Sequence, residues 1–153
     1  MPRTFPLQPL LNLATQKNDS AIRKLGLLNQ NRQTAQGKLE MLQQYRQDYL
    51  EKMQQAERSG LHPHEIQNFR EFIFRLDEAI RHQNGVIEQA HAHFREGQAE
   101  LSETRKRMKS YDTLQKRHQE SERHRESKLE QKTQDEHTSS QAAYRKINLD
   151  DAD

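Results

Sequence analysis

One spacing in the chain resembles a metal-binding motif, the Glu-x-x-His pair formed by Glu88 and His91. Di-iron helical bundles place two such motifs on facing helices and add two further carboxylates. Here the second motif is missing, and His93 lies two positions after His91, so the two side chains would leave a helix in different directions. His62 and His64 fall in a predicted turn and fit that role better than metal ligation. We therefore predict neither a metal site nor a bound cofactor.

Neither phosphate binding nor cysteine chemistry fits the sequence. Phosphate-binding loops need clustered glycines so that several backbone N–H groups can approach the anion, whereas the 5 glycines here are scattered singly. The chain contains 0 cysteines, which excludes disulfides, thiolate metal sites and cysteine nucleophiles. Since no motif can carry a reaction, we do not expect an enzyme and predict no catalytic residue.

A nucleic-acid interface is not expected either. The richest basic run, Arg105–Lys109, is short and lies between the acids Glu103 and Asp112. The formal net charge of the chain is only +2, whereas nucleic-acid binding needs a concentrated basic stripe.

The composition favours paired helices over a globular domain. Hydrophobic residues make up 31% of the chain and charged residues another 31%, and so few apolar side chains fill a narrow seam between two helices but not a layered core. No stretch approaches the roughly 20 apolar residues that a membrane span requires, and the proline-interrupted start lacks the apolar region of a secretory signal. We expect a cytoplasmic protein without membrane insertion.

Prolines and one glycine mark the ends of two predicted helices. Pro2, Pro6 and Pro9 lie at the start of the chain, and the fourth proline is Pro63. A proline inside a helix removes a hydrogen bond and clashes with the preceding turn. Gly60 can adopt the left-handed conformation that ends a helix, and Pro63 suits the first turn of the next. The predicted fold is therefore all-α, a long two-helix antiparallel coiled coil that turns near Gly60.

The chain is expected to divide around this helical hairpin. After about Leu114 the second helix has no first-helix residues left to pair with, and residues 115–141 contain almost no apolar side chain except Leu129. They are either a lone solvated helix or a fraying one. The predicted divisions are residues 1–9 as a flexible N-terminal segment, residues 10–114 as the hairpin with arms of about 10–58 and 63–114, and residues 115–153 as a polar helical overhang with an acidic tail, Asp150-Asp151-Ala152-Asp153.

Heptad spacing predicts how the two helices pair. In both arms, residues of the predicted seam recur at alternating spacings of three and four, which is typical of a left-handed coiled coil. Because the helices are antiparallel, the residue numbers of paired positions should add up to about 122. Large residues then face small ones and polar residues face polar ones, as close packing requires. The predicted pairs are Leu25 with Gly97, Ala21 with Leu101, Ala14 with Met108, and Asn18 with Thr104.

One flank of the predicted hairpin carries apolar residues beside the seam. Tyr45 falls at heptad position g of the first helix, and Phe72, Ala79 and Val86 fall at position g of the second. The g flanks of two antiparallel helices lie on the same side, so Tyr45, Phe72 and Ala79 should form a partly exposed strip with Lys38 at its edge. Exposed apolar surfaces tend to mark contact sites. The alternative is that Tyr45 and Phe72 fold over the seam and widen the core.

The residues around this strip resemble those of a known family. The pattern runs through Lys38-Leu39-Glu40-Met41-Leu42, Tyr45 and Tyr49, then Gly60 in the turn, then Asn68-Phe69, Phe72, Leu76, Ala79-Ile80 and Gln83. It is similar to that of the flagellar export protein FliJ family. The resemblance covers nearly the whole chain, and its specific part spans about residues 38 to 83.

The resemblance implies a function in flagellum assembly. Members of this family are non-catalytic, stalk-like coiled coils of the bacterial flagellar type III export apparatus. The implied partners are the hexameric export ATPase and its regulator, the cytoplasmic domain of the export gate membrane protein, and export chaperones. The implied location is the cytoplasm, at the cytoplasmic face of the cell membrane at the flagellar base. By position, the implied gate-binding residues are Lys38, Leu42, Tyr45, Tyr49, Phe72, Leu76, Ala79 and Gln83.

Two alternatives stay open at this point. One is the equivalent stalk protein of a virulence-type III secretion system, which shares the architecture; the pattern of Tyr45, Tyr49, Phe72, Leu76 and Ala79 favours the flagellar protein. The other is a generic coiled-coil scaffold, including a rod associated with nucleic acid, whose binding would weaken steeply with salt.

Overall fold

A computed structural model describes residues 2–151, and within them the chain forms two helices. Helix α1 spans Gln8–Arg58 and helix α2 spans Pro63–Asp150. They pack against each other as an antiparallel helical hairpin, which confirms the predicted fold class. Ala152 and Asp153 of the predicted acidic tail lie outside the described residues.

The turn forms where the sequence predicts it. Gly60 has a φ of 83°, in the left-handed region that glycine adopts without steric cost. The N–H groups of Ser59 and Gly60 close the last turn of α1 by donating to carbonyls of that helix, and the N–H of Glu65 donates to the carbonyl of His62 at 3.0 Å as α2 begins. Helix α2 continues to Asp150 because no proline or glycine interrupts its polar second half.

The chain consists of two compact units. The first, here called the hairpin unit, is Lys17–Arg105. The second, here called the terminal unit, combines Met1–Gln16 with Lys106–Asp153.

The seam of the hairpin unit has the predicted pairing. The hydroxyl of Thr104 donates to the side-chain oxygen of Asn18 at 3.2 Å. A Cβ placed on Gly97 would lie 3.3 Å from Cδ1 of Leu25 and 2.7 Å from Cδ1 of Leu28, so the absence of a side chain at Gly97 makes room for the leucines of α1. The pairs Leu25–Gly97 and Asn18–Thr104 are thereby confirmed, whereas Ala21–Leu101 and Ala14–Met108 stay predictions.

Polar side chains at seam positions find partners within the hairpin unit. The guanidinium of Arg32 lies 4.0 Å from the ring centroid of Phe94. Nε of Arg46 donates to a carboxylate oxygen of Asp77 at 2.5 Å. Because both members of this ion pair are half-exposed, it contributes only about 0.2–1 kcal/mol. These contacts let the coiled coil accept charged residues where it would otherwise need apolar ones.

In the terminal unit, the residues that precede α1 pack along α2. The backbone N–H of Arg3 donates to a carboxylate oxygen of Glu122 at 3.2 Å. Nε2 of His118 lies 2.9 Å from the carbonyl oxygen of Arg3, and the rings of Phe5 and His118 have centroids 5.6 Å apart. The prediction that no residues of the first arm are left to pair with α2 after about Leu114 stays a prediction, and the residues before α1 supply contacts that it did not include. The residues before α1 are not helical, so the heptad spacing of the two arms does not extend to them. The predicted flexibility of residues 1–9 stays a prediction.

Gly97 provides a test of the seam. We expect Gly97→Leu to lower the free energy of unfolding by about 1–3 kcal/mol, because the new side chain would overpack the space that Leu25 and Leu28 fill. Gly85 is the matched control in the same helix, since nothing lies within 4 Å of the Cβ position there. Gly85→Leu should raise stability by up to about 1 kcal/mol through helix propensity. Urea unfolding followed by circular dichroism measures both, and equal effects would contradict the pairing.

The contact between Arg3 and Glu122 should depend on pH. The N–H of Arg3, and then the charges of Arg125, His118 and Arg3, lower the pKa of the Glu122 carboxyl from its ordinary value of 4.5. The ionised carboxylate therefore stabilises this contact above pH 4.5, and the stabilisation is lost as the pH falls through the lowered pKa. We expect the nuclear Overhauser effect between the rings of Phe5 and His118 to weaken over that acidic range.

Two variants separate this effect from general acid unfolding. Glu122→Gln should weaken the Phe5–His118 contact already at neutral pH. It should also remove the loss of this contact at acidic pH, because the variant has no carboxyl group at position 122. Glu130→Gln, at an exposed position of the same helix, should leave the titration unchanged. A Glu122→Gln protein that titrates like the unmodified protein would refute the assignment.

Candidate partner-binding site

An apolar strip lies along one flank of the hairpin unit, as the heptad register predicts. We define it by Tyr45 of α1 and by Phe72, Ala79 and Val86 of α2. Tyr45 is 51% exposed and Phe72 is 40% exposed, while Ala79 and Val86 are half-buried. Two large aromatic side chains thus remain accessible on a hairpin whose surface is otherwise mostly polar.

Tyr49 joins the strip to the seam. Its ring stacks on that of Phe72, with centroids 4.1 Å apart and planes inclined by 30°, and it meets Phe69 with centroids 5.5 Å apart. Phe72 therefore lies partly over the seam, as expected if it widens the core. It also stays 40% exposed, as expected if it forms a contact surface. The stacked rings hold Phe72 in one orientation, which lowers the entropic cost of presenting it to a partner.

The structure places the eight predicted gate-binding residues in three environments. Lys38, Tyr45 and Phe72 are exposed, and Leu42, Tyr49 and Ala79 are half-buried. Leu76 and Gln83 are each only 8% exposed. Nε2 of Gln83 donates to the backbone carbonyl of Ala35 at 2.8 Å, so this amide acts between the two helices. Leu76 and Gln83 are therefore buried rather than accessible to a partner, and the binding role of the whole set stays a prediction.

Sequence reasoning did not include Lys52 in the candidate site. Its ammonium lies 5.9 Å from the ring centroid of Tyr49, and its side chain is exposed. Lys52 follows Tyr45 by seven residues, as Tyr45 follows Lys38. The same heptad register that identified Lys38 and Tyr45 therefore also identifies Lys52.

A second exposed aromatic residue lies away from the strip. Phe74 is 57% exposed and follows the buried seam residue Ile73 directly, so it points outward from α2. It borders a shallow groove whose other lining residues are Gln67, Arg70, Glu71, Arg75 and Glu78. Phe74 is a single aromatic side chain among charged ones, whereas the strip joins apolar side chains of both helices.

Residues 2–151 show no arrangement suited to metal binding. No group of three or more histidine and carboxylate side chains in this range could hold a metal ion. Within the same range, neither helix has a segment apolar enough to cross a membrane.

Comparison with known proteins connects these features to a family. The family model described as flagellar FliJ protein matches residues 3–147, a range that includes α1, all of α2 except its last three residues, and the whole strip. A solved structure of a protein from Chlamydia trachomatis, proposed to be a YscO homolog, aligns with a TM-score of 0.62 over 94% of this chain and 98% of that chain. The sequences are 16% identical, so this similarity concerns the fold. No protein of curated function matches the sequence significantly.

Tyr45 and Tyr49 should respond differently to the same substitution. Tyr45→Ala removes a half-exposed side chain beside the seam and should change the free energy of unfolding by no more than about 0.5 kcal/mol. Tyr49→Ala removes a half-buried ring that contacts two phenylalanines and should cost about 2–3 kcal/mol. Urea unfolding of both variants measures the difference, and equal costs would mean that Tyr45 also belongs to the core.

Proposed function

Because the chain belongs to the flagellar FliJ protein family, we propose that it is a non-catalytic stalk component of the bacterial flagellar type III export apparatus. The family match over residues 3–147 carries this proposal. The helical hairpin agrees with it, since two long helices packed along a narrow seam offer extended binding surfaces. The protein works, on this proposal, by contacts alone.

The proposed partners divide between an ATPase and a membrane gate. The chain binds the hexameric export ATPase and its regulator and promotes assembly and activity of the ring. It also contacts the cytoplasmic domain of the export gate membrane protein and engages export chaperones. The proposed location is therefore the cytoplasm, at the cytoplasmic face of the cell membrane at the flagellar base.

The apolar strip is the proposed gate-binding surface. Tyr45 and Phe72 supply exposed aromatic area, and Tyr and other aromatic residues are enriched among the residues that dominate binding energies. Tyr49 stacks on Phe72 from the seam, and Leu76 is buried four residues further along α2. The strip thus combines accessibility with a rigid support.

The gate contact can be tested with matched aromatic substitutions. We expect the double variant Tyr45→Ala/Phe72→Ala to bind the purified cytoplasmic domain of the export gate at least tenfold more weakly, because each exposed aromatic anchor contributes about 1–2 kcal/mol to such an interface. Phe74→Ala is the control, since it removes an exposed aromatic ring of α2 outside the strip. Calorimetric titration of all three proteins, after circular dichroism has confirmed their helicity, decides the matter. Equal affinities would contradict the assignment.

The proposed ATPase contact needs a separate assay. Addition of the purified chain to its export ATPase should increase ATP hydrolysis and ring assembly. The Tyr45→Ala/Phe72→Ala variant should retain this effect, because the family resemblance assigns the ATPase contact to the end that bears both termini and not to the strip. Absence of any stimulation by the unmodified protein would count against the stalk role.

A second candidate is the equivalent stalk protein of a virulence-type III secretion system. The similarity in fold to the structure proposed to be a YscO homolog is the observation that favours it. Complementation separates the two, since a flagellar protein should restore swimming to a strain that lacks its own family member. Restoration of virulence-type secretion without swimming would favour the second candidate.

A further inference from the structure

Lys38 and Lys52, beside the strip, lack the acidic partner that Lys24 has at the same heptad position of α1. Lys24, Lys38 and Lys52 occupy the same heptad position of α1, at intervals of fourteen residues. Lys24 pairs across the hairpin with Glu100, with its ammonium 2.9 Å from a carboxylate oxygen. The same antiparallel register places Lys38 opposite Val86 and Lys52 opposite Phe72. Glu100 lies opposite Lys24, whereas the residues of α2 opposite Lys38 and Lys52 are apolar.

These two lysines are available to a partner. Both are exposed, and neither forms an ion pair within residues 2–151. Asp48 accepts a hydrogen bond from Gln44 at 2.9 Å, and on α2 Arg75 lines a groove together with Glu71 and Glu78. On the α1 side of the strip, Lys38 and Lys52 are therefore exposed cations without an ion-pair partner among residues 2–151.

We propose that the strip recognises an apolar segment of its partner that is flanked by carboxylates, with Lys38 and Lys52 binding those carboxylates. This inference rests on the proposed function, in which the partner is the cytoplasmic domain of the export gate. The apolar strip supplies affinity, and the lysines supply register and the rate of encounter, since charges at the rim of an interface mainly affect association.

The distance between the lysines limits what the partner can be. Fourteen residues of helix separate them by about 21 Å. A single acidic side chain cannot span this distance. An extended peptide of about six residues, a helix, or a folded surface can do so. The partner must therefore present at least two acidic groups, one on each side of its apolar contact.

Charge reversal tests this arrangement. We expect Lys38→Glu/Lys52→Glu to lower the association rate constant with the gate domain about tenfold at 50 mM salt, because attraction becomes repulsion. The difference should shrink at 500 mM salt, where the charges are screened. Lys106→Glu/Lys109→Glu makes the same change in net charge at exposed positions outside the strip and should leave the rate within about twofold. Surface plasmon resonance measures all three proteins, and equal rates for the two double variants would overturn the inference.

Cross-linking tests direct contact independently of net charge. A carbodiimide joins an amine to a carboxylate only when the two meet, so the complex should yield cross-links from Lys38 and Lys52 to acidic residues of the gate domain. Lys38→Arg/Lys52→Arg should keep the affinity within about twofold, because arginine preserves the charge, and should lose those cross-links. Cross-links confined to other lysines would refute the contact.

The outcomes separate this inference from the proposed function. If Tyr45→Ala/Phe72→Ala weakens binding while the lysine variants behave like their controls, the strip binds the gate and the acidic recognition is wrong. If the alanine variant also binds normally, the proposed gate surface itself is wrong.

Discussion

The antiparallel pairing of α1 with α2 constrains every other feature of the hairpin unit. Each helix offers only a narrow apolar stripe, so stability requires that these stripes meet in one register. The seam also contains residues that fit only that register. A slip would move the Leu25 side chain away from the space at Gly97 and bury Asn18 without the hydroxyl of Thr104. The register is therefore fixed by apolar contact and also by the free energy that a slip would cost by leaving the buried Asn18 side chain without its hydrogen-bond partner.

The candidate site is a consequence of the same register. It brings Tyr45 to the side on which α2 carries apolar residues, and it brings Tyr49 beneath Phe72, where the two rings stack. The residues that fill the seam and those that form the exposed surface are therefore adjacent on each helix. The proposed binding function and the stability of the hairpin are separable at Tyr45 and closely linked at Tyr49, because the Tyr49 ring contacts Phe69 as well as Phe72 of the strip.

The sequence predicted the seam better than it predicted the residues at its margins. Leu25 and Gly97 could be paired by numbering alone, because heptad spacing and a short turn leave little freedom. Arg3 and Glu122 could not be paired in this way, since Arg3 precedes the helix and therefore has no heptad position. Likewise, heptad spacing places Gln83 in the seam, but it does not indicate that the amide donates to the carbonyl of Ala35.

What the sequence by itself determined is the pair of helices, the turn at Gly60, the pairing register and the flank that carries the apolar strip. These follow from local constraints, namely the placement of prolines and glycine and the period of the apolar residues. Only the tertiary structure decided how far Tyr45 and Phe72 protrude, which polar groups the seam satisfies, and where the N-terminal residues lie. Those outcomes depend on contacts between side chains distant in sequence, and on the choice among rotamers that such contacts impose.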